Sequence, residues 1–116
     1  MLVESLVKIG LTQAESLVYL ELFRLGSQPV STLAKRLKLN RTTVYSVLKK
    51  LMQKGLVGDY TNKGVKYFLA NDPNCLITYL DRRCRTLDYY RNQFVTLIPK
   101  FRNESSVVDV ERPEVS

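Results

Sequence analysis

Histidine is absent from the chain, and cysteine occurs only at Cys75 and Cys84. Zinc sites of the usual kind need four nitrogen or sulfur ligands close together, so that arrangement is excluded. On one helix the two thiols stand roughly 13 Å apart along the axis, too far for an intrachain disulfide. They read as small buried hydrophobes in a reducing, cytoplasmic setting, with Cys84 the one placed to meet its twin in a second chain. No cysteine lies beside a base, no glycine loop is built to cradle phosphate, and no carboxylates cluster. Neither an enzyme nor a cofactor is therefore expected. No apolar run approaches a bilayer span, which argues against an integral membrane protein. The amino-terminal "MLVESLVKIG" is interrupted by Glu4 and Lys8, and no cleavage site follows, so it reads as a short amphipathic helix.

Acid is missing from one long stretch. Between Lys35 and Lys54 there are seven cations (Lys35, Arg36, Lys38, Arg41, Lys49, Lys50 and Lys54) and no Asp or Glu. Such a segment repels itself unless something negative sits against it. The chain's net charge of +7 is uneven. Residues 1–70 hold eleven Lys/Arg against four Asp/Glu, residues 71–102 six against three, and residues 103–116 one against four. Nucleic acid is the partner this distribution favours. With 116 residues, 45% of them hydrophobic, the chain suits one compact domain with an extension.

What is present divides cleanly. "GLTQAESLVYLELFRLGS" opens with T-x-x-E, a capping box in which Thr12 starts a helix and Glu15 reaches back; Gly26 ends it. Ala14, Leu17, Val18, Leu20, Leu22, Phe23 and Leu25 surround that helix with apolar side chains and predict that it is buried on several sides. A short helix from about Val30 to Leu37 follows, with Leu33, Ala34 and Leu37 inward. Asn40 then caps a third helix, Arg41 to Lys54, stopped by Gly55. Val44, Val47, Leu48 and Leu51 form its buried seam. Two helices joined by a short turn make a helix-turn-helix. "LVGDYT" and "VKYFLA" are β-prone and are separated by "NKG", where Asn62 and Gly64 suit the positive φ of a hairpin turn. A helix-turn-helix followed by a hairpin is a winged helix. Asp72-Pro73 then starts a long helix.

The long helix repeats apolar positions by threes and fours: Ile77, Leu80, Cys84, Leu87, Arg91, Phe94, Ile98 and Phe101, with Arg91 the polar member. This is a coiled-coil seam, and Pro99 should kink or end the helix near Ile98. The expected organisation is a winged-helix domain over residues 1–71, a dimerisation helix over 72–102 and a flexible acidic tail over 103–116. The fold class is mainly α with a small β-hairpin. A chain ending at Pro73 is expected to fold as a monomer.

"LVKIGLTQAESLVYLELFRLG", "VSTLAKRLKLNRTTVYSVLKKLMQKGLV" and "KYFLANDP", in that order, resemble the DNA-binding domain of the TrmB-like transcriptional regulators over roughly residues 2–73. The G-L-T-x-x-E opening, the R-x-x-V-Y-x-V-L core, the K-G-L-V lead into the wing and the closing N-D-P carry the resemblance. It implies a winged helix that binds operator DNA as a homodimer, with the following helix serving dimerisation. Larger members add a carboxy-terminal effector domain, often for sugars. This chain has no room for a small-molecule effector domain, so sugar sensing is not carried over.

With helix 41–54 in the major groove, its first turns approach base edges and its flanks meet phosphates. Arg41 suits guanine O6 and N7 or a phosphate, and Thr42, Thr43 and Ser46 reach either. Tyr45 borders the apolar seam and either packs or touches the backbone. Lys49 and Lys50 suit phosphates, Lys63 and Lys66 on the wing follow an adjacent strand or groove, and Thr32 and Lys35 are flanking candidates. A protein-binding winged helix is the alternative. It predicts large apolar residues on the outer face of 41–53, where Thr, Ser, Lys and Gln stand instead.

Overall fold

The Thr12 side chain accepts from the Glu15 N–H at 3.0 Å, and Glu15 Oε1 accepts from the Thr12 N–H at 2.9 Å. This capping box starts the central helix of a computed structural model that describes residues 2–105. In chain order the elements are α1 (Leu2–Lys8), α2 (Gln13–Leu25), α3 (Val30–Leu37), α4 (Arg41–Gln53), β1 (Val57–Asn62), β2 (Val65–Ala70) and α5 (Cys75–Glu104). They fall into two compact units, one reaching Asp81 and one starting at Arg82. The first unit therefore extends past Asp72-Pro73 and includes the opening turns of α5. The expected acidic tail lies, from residue 106 onward, outside the described residues.

The first unit closes over one core. Leu6 and Leu11 cover α2, while Val18, Tyr19 and Leu22 meet Leu33 of α3, Val44, Leu48 and Leu51 of α4, Phe68 of β2 and Tyr79 of α5. The third helix presents the seam expected of it: Val44, Val47, Leu48 and Leu51 are all buried. On α2 the expectation fails at Leu17 and Phe23, which are exposed. Their places on the inner side are taken by Glu15, Ser16 and Glu21. Glu15 Oε2 accepts from Lys54 Nζ at 3.1 Å, and Glu21 Oε2 from Arg36 Nε at 2.7 Å. Buried carboxylates are tolerated because each has a cation and, for Glu15, a backbone N–H.

The hairpin is antiparallel with Asn62 opposite Val65, which leaves a two-residue loop. Its central residues are Lys63 at φ 53 and Gly64 at φ 80. Positive φ at both positions is the type I′ arrangement that matches strand twist. Asn62 is thus a strand residue; the expected positive φ holds at Gly64, and its left-handed neighbour is Lys63 rather than Asn62. Gln28 exchanges two backbone hydrogen bonds with Phe68, tying the α2–α3 connection to the wing. Asp72 Oδ1 accepts from the Asn74 N–H at 2.7 Å, capping a turn that leads into α5. Pro99 does not end α5, which runs on to Glu104. Proline's fixed φ is itself helical, and the Val95 carbonyl it deprives belongs to a residue that is open to solvent.

Candidate nucleic-acid interface

The turn between α3 and α4 aims the outer face of α4. Lys38 ends α3 in the left-handed region at φ 59, and its N–H returns to the Ala34 carbonyl. Two residues later Asn40 Oδ1 accepts from the Thr43 N–H at 2.9 Å and starts α4. Arg41, Thr42, Ser46, Lys49 and Lys50 are exposed on α4, and Thr43 is half-buried with its N–H engaged by the cap. Tyr45 is 49% exposed and sets its ring edge-on to buried Phe68, with centroids 6.1 Å apart. It therefore packs in part and is open to solvent in part.

Two openings flank this face. A groove of about 440 Å³ between α4 and the hairpin is lined by Tyr45, Ser46, Leu48, Lys49, Met52, Asp59, Lys66 and Phe68. A shallower cleft where α3 meets the start of α4 is lined by residues including Thr32, Lys35, Asn40 and Arg41. Lys63 stands exposed at the wing turn. Lys66 is not free: its Nζ lies 3.6 Å from Asp59 Oδ2.

The cation run of residues 35–54 also splits. Arg36 and Lys54 neutralise Glu21 and Glu15, so they belong to the internal framework. Among the described residues, Lys35, Lys38, Arg41, Lys49 and Lys50 stand exposed without an ion pair, all on α3, the turn or α4. Sequence reasoning missed Asp59, the one carboxylate lining the groove. Its signal was available in the hairpin pattern. Asp59 stands two residues after Val57 on β1 and so shares the face that packs toward α4.

In the second unit the seam positions of α5 lie open. Leu87, Phe94, Ile98 and Phe101 are exposed, as is Cys84, and Phe94 stacks on Phe101 with centroids 6.0 Å apart. Arg91 is occupied with Asn92 at 3.2 Å. In the first unit Ile77 is exposed, whereas Leu80 packs partly on its own core. Cys75 is half-buried, with its Sγ 3.6 Å from the Tyr19 hydroxyl. Burial, and then the contact with Cys75, push the Tyr19 phenol well above the usual tyrosine range.

A family model described as "Sugar-specific transcriptional regulator TrmB" matches residues 6–74. The HTH-type sugar sensing transcriptional regulator TrmBL1 of Pyrococcus furiosus is 39% identical over 56 residues, 48% of this chain and 16% of that protein. The chain thus spans only a small part of this curated relative's length. Among solved structures, TrmBL2, an archaeal chromatin protein described as showing a novel mode of DNA binding, superposes with a TM-score of 0.64 at 24% identity, over 96% of this chain and 45% of that one. A possible transcriptional regulator from Methanosarcina mazei Go1 gives a TM-score of 0.61 at 21% identity, over 81% and 86%. YusO from Bacillus subtilis gives 0.56 at 23%, over 90% and 83%. At these identities the structural likeness establishes the winged-helix fold.

Proposed function

The chain belongs to the TrmB family of transcriptional regulators, and from that premise we propose that it is a sequence-specific DNA-binding regulator acting as a homodimer in the cytoplasm. The observation that carries the reading is the outer face of α4. It is uncovered within its unit, bears Arg41, Lys49 and Lys50 beside Thr42 and Ser46, and adjoins a hairpin with Lys63 at its tip. In this reading helix 41–54 enters the major groove and the wing over 57–69 follows the backbone or the minor groove. Arg41 at the first turn takes a guanine edge or the phosphate beside it, Thr42, Thr43 and Ser46 supply short hydroxyls, and Tyr45 offers its hydroxyl at the border. Lys49, Lys50, Lys63, Lys35 and Thr32 hold phosphates.

One winged helix reads few base pairs. The open seam of α5, from Leu87 to Phe101, supplies a second copy to the operator. Two recognition helices then address half-sites about one helical turn apart, roughly 34 Å. Burying those apolar side chains against a twin helix is the favourable step that pairs the subunits.

The test is binding of the full chain to the DNA upstream of its own coding region across a salt series. With about six phosphates neutralised per bound unit, log K should fall with log salt at a slope near −5. No binding at low salt, or a flat dependence, removes the proposal.

A further inference from the structure

Asp59 faces Phe68 across the hairpin, and partners in register share a sheet face. Phe68 is buried beneath Tyr45 of α4, so Asp59 looks toward α4 and into the groove. The lysine one alternation along the same face is Lys66, 3.6 Å away. Both side chains remain substantially in water, at 31% and 50% exposure. A pair so exposed adds little to folding stability. Its presence in the groove beside Ser46 and Lys49 therefore bears on what the groove receives. The two other acids nearest in sequence on the amino-terminal side, Glu15 and Glu21, are buried against their own cations. Among the described residues lining this groove, Asp59 is the one acid, set beside Lys49 and Lys66.

We propose that Asp59 sets the affinity of the DNA contact, by holding Lys66 in an internal pair and so away from phosphate. The proposal rests on the DNA-binding reading above. With Asp59 in place the wing offers Lys63 as its free cation. With Asp59 neutralised, Lys66 becomes available to one further phosphate per protomer.

The experiment measures binding of the full chain to a fluorescent duplex of about 40 base pairs, long enough for two half-sites, from about 50 to about 200 mM salt. Asp59→Asn should steepen the slope of log K on log salt by about 0.9 per protomer. At about 0.1 M salt the gain is bounded by the worth of so exposed a pair and should reach up to about fivefold tighter binding per protomer. Adding Lys66→Gln to Asp59→Asn should return slope and affinity to the wild-type values. Asp59→Thr, a residue that suits a strand, should reproduce Asp59→Asn and guards against a change confined to the hairpin's fold. Weaker binding by both Asp59 variants would mean that the carboxylate itself contacts the DNA, as in acceptance from a cytosine amine, and would overturn the proposal. An unchanged slope overturns it as well, as does a gain that survives loss of Lys66. A wild-type chain that binds no duplex at low salt removes the DNA-binding reading itself, whereas wild-type binding with unaltered variants removes only this inference.

Discussion

The carboxylate of Glu15 is shared between the start of α2 and the end of α4. Oε1 accepts from the Thr12 N–H and so starts α2, while Oε2 accepts from Lys54 and so fastens the residue that ends α4. Glu15 is only 2% exposed, and a quarter of the Lys54 side chain is. Removing one partner of such a pair leaves the other poorly solvated, which costs more than the pair itself contributes. Glu15→Ala should lower unfolding free energy by about 2–3 kcal/mol, the sum of a lost cap contact and a stranded ammonium. Glu15→Gln keeps an acceptor for Thr12 and should lose about half as much. Urea unfolding followed by circular dichroism, with the denaturant slope unchanged, measures both. Equal stability of wild type and Glu15→Ala would show that the Lys54 contact is not retained in solution. In the sequence the T-x-x-E spacing reveals the first of these duties. The second was hidden, because Lys54 stands 39 positions away and nothing local marks it as a partner rather than a DNA contact.

At the level of elements, legibility follows how local each determinant is. The bounds of α2 and α4 were readable since Thr12, Asn40, Gly26 and Gly55 act within one turn of their own positions. The winged-helix order was readable for the same reason. The outward turn of Leu17 and Phe23 was not, because which side of an almost wholly apolar helix faces solvent is set by the elements packed on it. The hairpin turn is an intermediate case: Gly64 takes the positive φ expected of it, and the second left-handed residue is Lys63 rather than Asn62. This turn puts Lys63 at φ 53, a left-handed conformation that disfavours a lysine and suits asparagine. Lys63→Asn should therefore stabilise the protein by about 0.5 kcal/mol. Under the proposed function the same change should make the salt slope of DNA binding shallower by about 0.9 per protomer. Thermal melts and binding isotherms on one variant thus move in opposite directions. A variant that melts lower would exclude the type I′ turn, and an unchanged slope would exclude Lys63 from the DNA contact.

For the whole molecule, the informative cut is at the border between the two units. The sequence expectation placed a self-sufficient domain before the long helix, ending at Pro73. Yet Tyr79 is 6% exposed within the core, Cys75 touches the Tyr19 hydroxyl, and Leu76 and Leu80 pack against the same cluster. A chain ending at Pro73 loses all four side chains. Stripping a buried aromatic residue of this size costs about 3–5 kcal/mol, a large share of the stability of so small a domain. A chain ending at Asp81 retains them and, among the described residues, gives up exposed apolar side chains such as Leu87, Phe94, Ile98 and Phe101. The Asp81 truncation should melt cooperatively and sediment as a monomer, while the full chain sediments as a dimer. The Pro73 truncation should melt at least about 10 °C lower than the Asp81 one, given the shift expected per kcal/mol in a domain of this length. DNA binding by the monomer should keep its salt dependence per protomer but lose the tight association that two linked half-sites confer. If the Asp81 truncation still sediments as a dimer, pairing resides in the first unit and the open seam of α5 serves another partner. Identical melting of the two truncations would mean that the opening turns of α5 are dispensable to the core they complete.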